Sequence, residues 1–256
     1  MRVARRLRPF RENPRLVRRE GAGRVDLWTE AVGEPPAVYG ERWVESGGRE
    51  FRLFEPSRSK LAAAILRGWR GALPRPGERW LYLGASSGTT ASHVADLVGP
   101  AGRVYAVEKS LRPFARLYAL SHRWPNLLPV FADARAPRAY SDLVANVDGL
   151  YADIAQADQL TIVRRNAELF LGKAGAPLVI ALKTASMGRQ RTPAEHLARA
   201  EEELESVVDL APAVKLDPLH RAHYLVGGVA RPALFGDASK PALTPRPGRS
   251  RAPRRP

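Results

Sequence analysis

Residues 80–109 read WLYLGASSGTTASHVADLVGPAGRVYAVEK, and this stretch has the pattern of a strand, a helix and a second strand. The apolar run Trp80–Leu83 predicts the first strand, a glycine- and serine-rich loop follows it, and Thr89–Val98 predicts the helix. The second predicted strand, Val104–Val107, is followed directly by Glu108. Because a carboxylate at the end of the second strand of a βαβ unit can accept both hydroxyls of a ribose, the stretch predicts a nucleoside-containing cofactor.

The spacing within the loop limits which cofactor fits. Gly84 and Gly88 form G-x-x-x-G, which differs from the G-x-G-x-x-G of dinucleotide-binding folds. Thr89 and Thr90 place hydroxyl groups where a pyrophosphate needs bare backbone N–H groups. No GKS or GKT follows the loop, which excludes a loop that binds a nucleoside triphosphate. A cofactor with ribose and adenine but no phosphate fits better, and S-adenosylmethionine is the usual one. For the loop taken alone, a glycine-rich turn without a ligand is the alternative.

Composition excludes several classes of protein. The chain has 256 residues, of which 45% are hydrophobic and 26% charged, as is typical of a globular protein with a full core. The absence of cysteine excludes disulfides, zinc–thiolate sites and thiol nucleophiles, and the five histidines lack a metal-ligand spacing, so we expect no metal. Without a membrane-length apolar run or a signal-peptide pattern, the sequence predicts a cytoplasmic protein with no membrane partner.

The net charge of +15 is unevenly distributed. Most of the excess lies in residues 1–24 and 231–256, whereas residues 25–230 are nearly neutral. Basic chain ends of this kind add sequence-independent affinity for nucleic acid, although solubilising tails are the alternative. A local basic stretch from Arg49 to Arg79 is the better candidate for a specific phosphate track.

The order of predicted elements indicates an α/β protein with a Rossmann-like, mostly parallel sheet. The predicted helices are Ser59–Arg67, Thr89–Val98, Pro113–His122, Asp158–Leu171 and Pro193–Val208. The predicted strands are Trp80–Leu83, Val104–Val107, Leu127–Phe131, Gly149–Ala152, Leu178–Leu182, Ala213–Leu216 and Tyr224–Val229. The connection between the last two strands is too short for a helix, so one of them is predicted to be antiparallel.

Four regions follow from this pattern. Residues 1–24 are predicted to be a basic N-terminal arm, and residues 25–56 a small β subdomain built on a hairpin with a Ser-Gly-Gly turn. Residues 57–230 form the predicted α/β domain. Residues 231–256 are a basic, Pro-rich tail that we expect to be disordered.

Charged residues follow two of the predicted strands, where ligands bind in open α/β sheets. Asp153 follows one strand, Lys183 follows another, Lys60 begins a helix and His223 lies at the start of the last strand. Together they suit methylation of a hydroxyl: Lys183 removes the proton, Lys60 is the second cation, Asp153 orients the ammonium groups and His223 positions the ribose. Taken singly, each residue has an ordinary structural explanation such as a helix cap or a surface charge.

Several segments resemble the fibrillarin family in its short archaeal form. They are PSRSKLAAAIL (56–66), YLGASSGTTASHVADLVGPAGRVYAVE (82–108), NLLPVFADAR (126–135), YADIAQADQ (151–159) and PLHRAH (218–223). The resemblance runs from about Val38 to Val229 and implies an S-adenosylmethionine-dependent methyltransferase sheet. It also implies 2′-O-methylation of ribosomal and transfer RNA, guided by C/D-box RNA. The partners implied are a Nop-family scaffold protein and a kink-turn-binding protein of ribosomal type.

The same resemblance assigns roles to residues. Thr89 and Thr90 would contact the methionine part of the cofactor, and Glu108 would hold the ribose hydroxyls. The wall around the adenine and the sulfonium would comprise Gly84, Lys109, Asp133, Ala134, Asp153, Ile154, Ala155 and Gln156, and the catalytic tetrad would be Lys60, Asp153, Lys183 and His223. Two departures stand out. Lys109 occupies a position where the family commonly has an aromatic residue, and Ala222 replaces an acid before His223, with His220 as an additional histidine nearby.

Two other functions are consistent with parts of the sequence. One is a nicotinamide-dependent oxidoreductase, which the loop spacing opposes. The other is a non-catalytic ribonucleoprotein subunit that retains the methylase fold, which the presence of all four tetrad residues opposes.

Overall fold

The computed structural model describes residues 7–21, 23–188 and 190–235, which form two β-sheets and five α-helices. The strands of the first sheet are β1 (Arg8–Phe10), β2 (Asn13–Gly21), β3 (Arg24–Glu30), β4 (Trp43–Ser46) and β5 (Arg49–Leu53). The strands of the second are β6 (Arg79–Leu83), β7 (Arg103–Glu108), β8 (Leu127–Phe131), β9 (Gly149–Ala152), β10 (Pro177–Lys183), β11 (Val208–Lys215) and β12 (His223–Ala230). The helices are α1 (Lys60–Leu66), α2 (Thr89–Val98), α3 (Leu111–Ser121), α4 (Gln159–Phe170) and α5 (Pro193–Glu205).

The seven-stranded sheet confirms the predicted fold class. Its strand order is β11-β12-β10-β9-β6-β7-β8, and every neighbouring pair is parallel except the two that involve β12. Alternate side chains of β6 enter different cores: Trp80 and Tyr82 pack on one face of the sheet, and Leu81 and Leu83 on the other. Both faces of the sheet are therefore covered, as the nearly continuous apolar strands predict.

The N-terminal sheet is larger than the predicted hairpin. Its order is β1-β2-β3-β5-β4, so β1 and β2 extend it into the region predicted to be a basic arm. Leu16 and Val17 of β2 are buried, and the guanidinium of Arg19 lies 4.6 Å from the ring centre of Trp28. The arm prediction is corrected for these residues, because they form strands of the sheet in which Leu16 and Val17 are buried.

The larger of the other differences from the predicted boundaries lie at α5, at β11 and in the C-terminal tail. Helix α5 ends earlier and β11 begins earlier, because Val208 already pairs with Ala230 at the edge of the sheet. At the other end, Leu234 is buried in a short 3-10 helix, so the region predicted as a disordered tail is packed as far as residue 235. Residues 236–256 of that tail lie outside the described residues. No helix in the described part of the chain is both long enough and apolar enough to cross a membrane.

A buried ionic cluster joins the N-terminal sheet to helix α2. Arg52 of β5 is fully buried, and its guanidinium donates to Asp96 at 2.6 Å, to Glu41 at 2.8 Å and to Ser92 at 2.7 Å. Ser92 and Asp96 belong to α2, the helix that follows the glycine-rich loop. The N-terminal sheet therefore fixes the position of the helix on which that loop ends.

Candidate active site

The register of the parallel strands places three predicted site residues along one edge. Leu83 of β6 pairs with Val107 of β7 and with Ala152 of β9. The residues that follow these three are Gly84, Glu108 and Asp153. Gly84 has a φ of +78°, and a Cβ at this position would collide with the Asp153 carbonyl oxygen, so only glycine fits the turn without strain.

A cavity of about 230 Å³ opens at this edge. It is lined by nine of the residues predicted to bind a cofactor: Gly84, Glu108, Lys109, Asp133, Ala134, Asp153, Ile154, Ala155 and Gln156. The other two, Thr89 and Thr90, line an adjoining cavity of about 360 Å³. We call the first the adenosine cavity, after the group that the sequence predicts there, and the second the polar cavity. Gly84, Ser86 and Asp153 line both cavities, so the two meet there.

Backbone N–H groups hold the Glu108 carboxylate in the adenosine cavity. Its Oε2 accepts from the N–H of Ser86 at 2.9 Å, and its Oε1 accepts from the N–H of Ser110 at 2.6 Å. The carboxylate is largely buried and has one N–H on each oxygen. Because each carboxylate oxygen can accept a further hydrogen bond, the group is oriented to receive two hydroxyls.

Charged groups ring the far end of the adenosine cavity. Lys109 lies 3.4 Å from the carboxylate of Asp133, which also accepts from the backbone N–H of Arg135 at 2.9 Å. That hydrogen bond, assisted by Lys109, lowers the pKa of Asp133 below its ordinary value. Arg135 also donates to Asp158 at 2.7 Å and to Gln156 at 2.8 Å. This wall is therefore polar at the position where the resemblance leads one to expect an aromatic ring.

The four predicted catalytic residues come together at the same edge. The Nζ of Lys60 lies 2.7 Å from the Oδ2 of Asp153, and both side chains are about one-fifth exposed. Lys183, the last residue of β10, pairs in register with His223, the first residue of β12. Burial and the Lys60 and Lys183 cations lower the pKa of His223, against the opposing effects of the Arg221 carbonyl and the Asp153 carboxylate. All three other members of the set therefore lie within electrostatic range of His223.

The two histidines of the last loop have different surroundings. His223 donates from Nδ1 to the Arg221 carbonyl at 2.7 Å, which leaves Nε2 as the acceptor of the neutral ring. His220 donates from Nε2 to the Pro56 carbonyl at 2.8 Å and thereby ties this loop to the segment before α1. His223 pairs in register with Lys183, whereas the His220 ring is bonded to the Pro56 carbonyl, so the structure favours His223 over His220 as the fourth member.

The sequence of the chain that forms this site is similar to a known protein family. The sequence profile described as Fibrillarin matches residues 15–232, most of the chain. The chain belongs to the fibrillarin family.

Relatives agree with this assignment. A fibrillarin-like rRNA/tRNA 2′-O-methyltransferase of Aeropyrum pernix is 42% identical over 213 residues, which cover 82% of this chain and 90% of that protein. A solved fibrillarin of Methanococcus jannaschii has a TM-score of 0.84 at 33% identity, with 89% of this chain and 98% of that chain covered. The Aeropyrum pernix fibrillarin structure, which contains natively bound S-adenosyl-L-methionine, has a TM-score of 0.79 at 37% identity, with 88% of this chain and 98% of that chain covered.

A fibrillarin has also been solved in a complex with Nop5p. That chain has a TM-score of 0.72 at 41% identity, with 80% of this chain and 93% of that chain covered. Membership of the fibrillarin family leaves the oxidoreductase alternative without support. Among the described residues, no group of three or more His, Asp or Glu side chains is arranged to hold a metal ion.

Sequence reasoning missed two residues, Gln159 and Ser59, that contact predicted site residues. Gln159, at the start of α4, is buried and brackets Lys183: its Oε1 accepts from the Lys183 N–H and its Nε2 donates to the Lys183 carbonyl, both at 3.3 Å. Ser59 caps α1 and accepts from the Thr90 hydroxyl at 3.1 Å, so it links α1, which begins at Lys60, to the start of α2. Neither residue has a sequence signal that separates it from an ordinary helix-start residue.

Proposed function

We propose that this chain is an RNA-guided 2′-O-ribose methyltransferase that acts on ribosomal and transfer RNA. It would be the catalytic subunit of a C/D-box ribonucleoprotein and would use S-adenosylmethionine. The main supporting observation is that Lys60, Asp153, Lys183 and His223 meet beside a cavity whose walls suit an adenosyl group. The activity is that named for the Aeropyrum pernix relative, transferred to a chain whose site residues suit this chemistry.

The residues at the two cavities fit this cofactor. The carboxylate of Glu108 would accept the ribose hydroxyls, because its orientation is already set by two backbone N–H groups. Asp133 and Ala134 would border the adenine, and Thr89 and Thr90 would face the amino-acid part. Gly84 would allow close approach at the junction, where a side chain would collide with the Asp153 backbone.

The bound cofactor supplies an electrophilic methyl group, so the protein must prepare the nucleophile. A ribose hydroxyl is a weak acid and has to lose its proton as it attacks. Among the described residues, Asp153 is paired with Lys60 rather than with Lys183, so Lys183 is the amine we assign as the base. Lys60, held by Asp153, would contribute positive charge beside the developing alkoxide, and neutral His223 would position the ribose.

The partners follow from the same proposal. We expect a Nop-family scaffold protein to dock this chain, because a related fibrillarin has been solved with Nop5p. A kink-turn-binding protein of ribosomal type and a C/D-box guide RNA would complete the particle, and base pairing would select the target nucleotide. The protein would work in the cytoplasm with its RNA substrates.

Reconstitution with guide RNA, scaffold protein, kink-turn protein and target RNA tests this proposal. Mild alkaline cleavage of the target should leave a gap in the ladder at the methylated ribose, since that ribose lacks the attacking 2′-hydroxyl. Lys183→Ala should slow methylation by at least about 100-fold, the usual contribution of a positioned base. Lys173→Ala removes an exposed lysine before β10 and should leave the rate unchanged.

Two results would contradict the proposal. A particle that assembles and binds the cofactor but leaves no gap would indicate the non-catalytic subunit instead. A Lys183→Ala particle as active as the wild type would refute the assignment of the base.

A further inference from the structure

The polar cavity has a wall that the cofactor assignment does not use. Ser57, Arg58 and Lys60 form this wall, and the cavity is also lined by Ser86, Ser87, Thr89 and Thr90. The lining also includes Asp153, which the polar cavity shares with the adenosine cavity. A group bound against Arg58 would therefore lie beside the Lys60–Asp153 pair.

Arg58 differs from Lys60 because its charge forms no ion pair within the described residues. Lys60 is paired with Asp153, whereas no carboxylate of the described residues lies within ion-pair distance of the Arg58 guanidinium. The guanidinium lies 5.7 Å from the ring centre of Tyr39, which supports it through a cation–π contact. Its N–H groups are available to an anion with two oxygen atoms, such as a phosphate.

The backbone around Arg58 is held at several points. The N–H of Arg58 donates to the Glu55 carbonyl at 3.1 Å, and His220 donates to the Pro56 carbonyl at 2.8 Å. Ser59, the next residue, is buried and caps α1. Arg58 is therefore presented by a fixed segment, two residues before Lys60, rather than by a free loop.

An RNA ribose offers a phosphate at the appropriate place. The 2′-hydroxyl to be methylated and the oxygen that bears the 3′-phosphate are on neighbouring carbons, so the 3′-phosphate lies close to the reacting oxygen. We propose that Arg58 binds this 3′-phosphate and thereby positions the 2′-hydroxyl against Lys60 and Lys183. This inference rests on the proposed function, and it makes Arg58 a substrate-positioning residue within the basic stretch from Arg49 to Arg79.

A nicked target RNA tests the contact. The target strand is annealed to the guide as two oligonucleotides, and the nucleotide to be methylated ends in either a 3′-phosphate or a 3′-hydroxyl. Single-turnover methylation and equilibrium binding are measured for the assembled wild-type particle and for its Arg58→Gln, Arg58→Lys and Arg24→Gln variants. Arg24 is an exposed arginine of β3 outside both cavities, so Arg24→Gln controls for the loss of one positive charge.

We expect the wild-type rate to fall about tenfold when the 3′-phosphate is removed, the scale of one hydrogen-bonded charge pair. Arg58→Gln should show a similar loss on the phosphorylated target and no further loss on the hydroxyl-ended one, because the two changes remove the same contact. Arg58→Lys should retain part of the effect, and Arg24→Gln should behave as the wild type. The affinity of Arg58→Gln for S-adenosylmethionine, measured by calorimetry, should stay within about twofold of the wild type.

Two outcomes would overturn the assignment. If phosphate removal slows wild type and Arg58→Gln by the same factor, Arg58 does not contact that phosphate. If Arg58→Gln instead binds the cofactor about tenfold more weakly, the guanidinium serves the cofactor carboxylate. If the wild-type particle binds both nicked targets but methylates neither, the proposed function fails. The binding measurements then still test Arg58: the contact is supported if Arg58→Gln abolishes the difference in affinity between the two targets, and refuted if it does not.

Discussion

Replacing Glu108 tests the cofactor assignment most directly. Its two carboxylate oxygens each accept one backbone N–H, from Ser86 at 2.9 Å and from Ser110 at 2.6 Å, which orients them toward the adenosine cavity. In the proposed complex each oxygen also accepts a ribose hydroxyl. A hydrogen bond to a charged acceptor contributes about 1.5–3 kcal/mol, so Glu108→Ala removes about 3–6 kcal/mol. Even the lower end corresponds to about 100-fold weaker binding of S-adenosylmethionine.

Glu108→Gln separates binding from stability. A glutamine has one acceptor oxygen and one NH₂ group, so either the Ser86 or the Ser110 N–H would face another donor. That mismatch exists without ligand and should lower the free energy of unfolding by about 1–3 kcal/mol. The lost ribose bond should weaken cofactor binding by about tenfold.

Isothermal titration calorimetry with S-adenosylmethionine and urea unfolding of the free protein measure the two effects of the Glu108 variants. Glu168→Gln, on the exposed side of α4, is the control: it should leave cofactor binding unchanged and lower the free energy of unfolding by less than about 0.5 kcal/mol. If Glu108→Ala bound the cofactor within about threefold of the wild type, the carboxylate would not hold the ribose.

Other predictions concern the buried charges and the glycine turn. Arg52→Met leaves two buried carboxylates without their cation and should lower the free energy of unfolding in urea by about 3–5 kcal/mol. Arg49→Met breaks an exposed ion pair on the same strand and should lower it by less than about 1 kcal/mol, and equal losses would contradict this prediction. Burial, and then the Arg52 cation, lower the pKa of His93 well below 6.5, so the unfolded chain binds this proton at a higher pH than the folded protein does. The free energy of unfolding should therefore fall by about 1.4 kcal/mol per pH unit as the pH drops below 6.5. His93→Gln should flatten this part of the pH profile of unfolding, and an unchanged slope would exclude His93 as the cause. Gly84→Ala should destabilise the protein more than Gly77→Ala in thermal unfolding. Both glycines have a positive φ, but only at Gly84 would a Cβ collide with neighbouring backbone. Equal losses of stability would mean that a small backbone shift relieves this collision.

Much of the site was predictable because parallel strands bring their carboxyl ends to one edge. Glu108, Asp153 and Lys183 each stand at or just after the end of an apolar strand, so their approximate neighbourhood follows from the order of elements. The N-terminal sheet was less predictable. Its second strand contains three arginines among nine residues, and charge alone does not reveal that Leu16 and Val17 are buried.

Periodicity and turn chemistry are local properties, so the sequence by itself determined the βαβ unit, the glycine turn at Gly84 and the alternation that builds the large sheet. Contacts between distant segments depend on packing, and only the tertiary structure decided them. It placed His220 on the Pro56 carbonyl and His223 among the charged groups, although both histidines lie in the same short segment. It also paired Lys60 with Asp153, 93 residues away, because the helix and the strand end that carry them meet at one edge of the sheet.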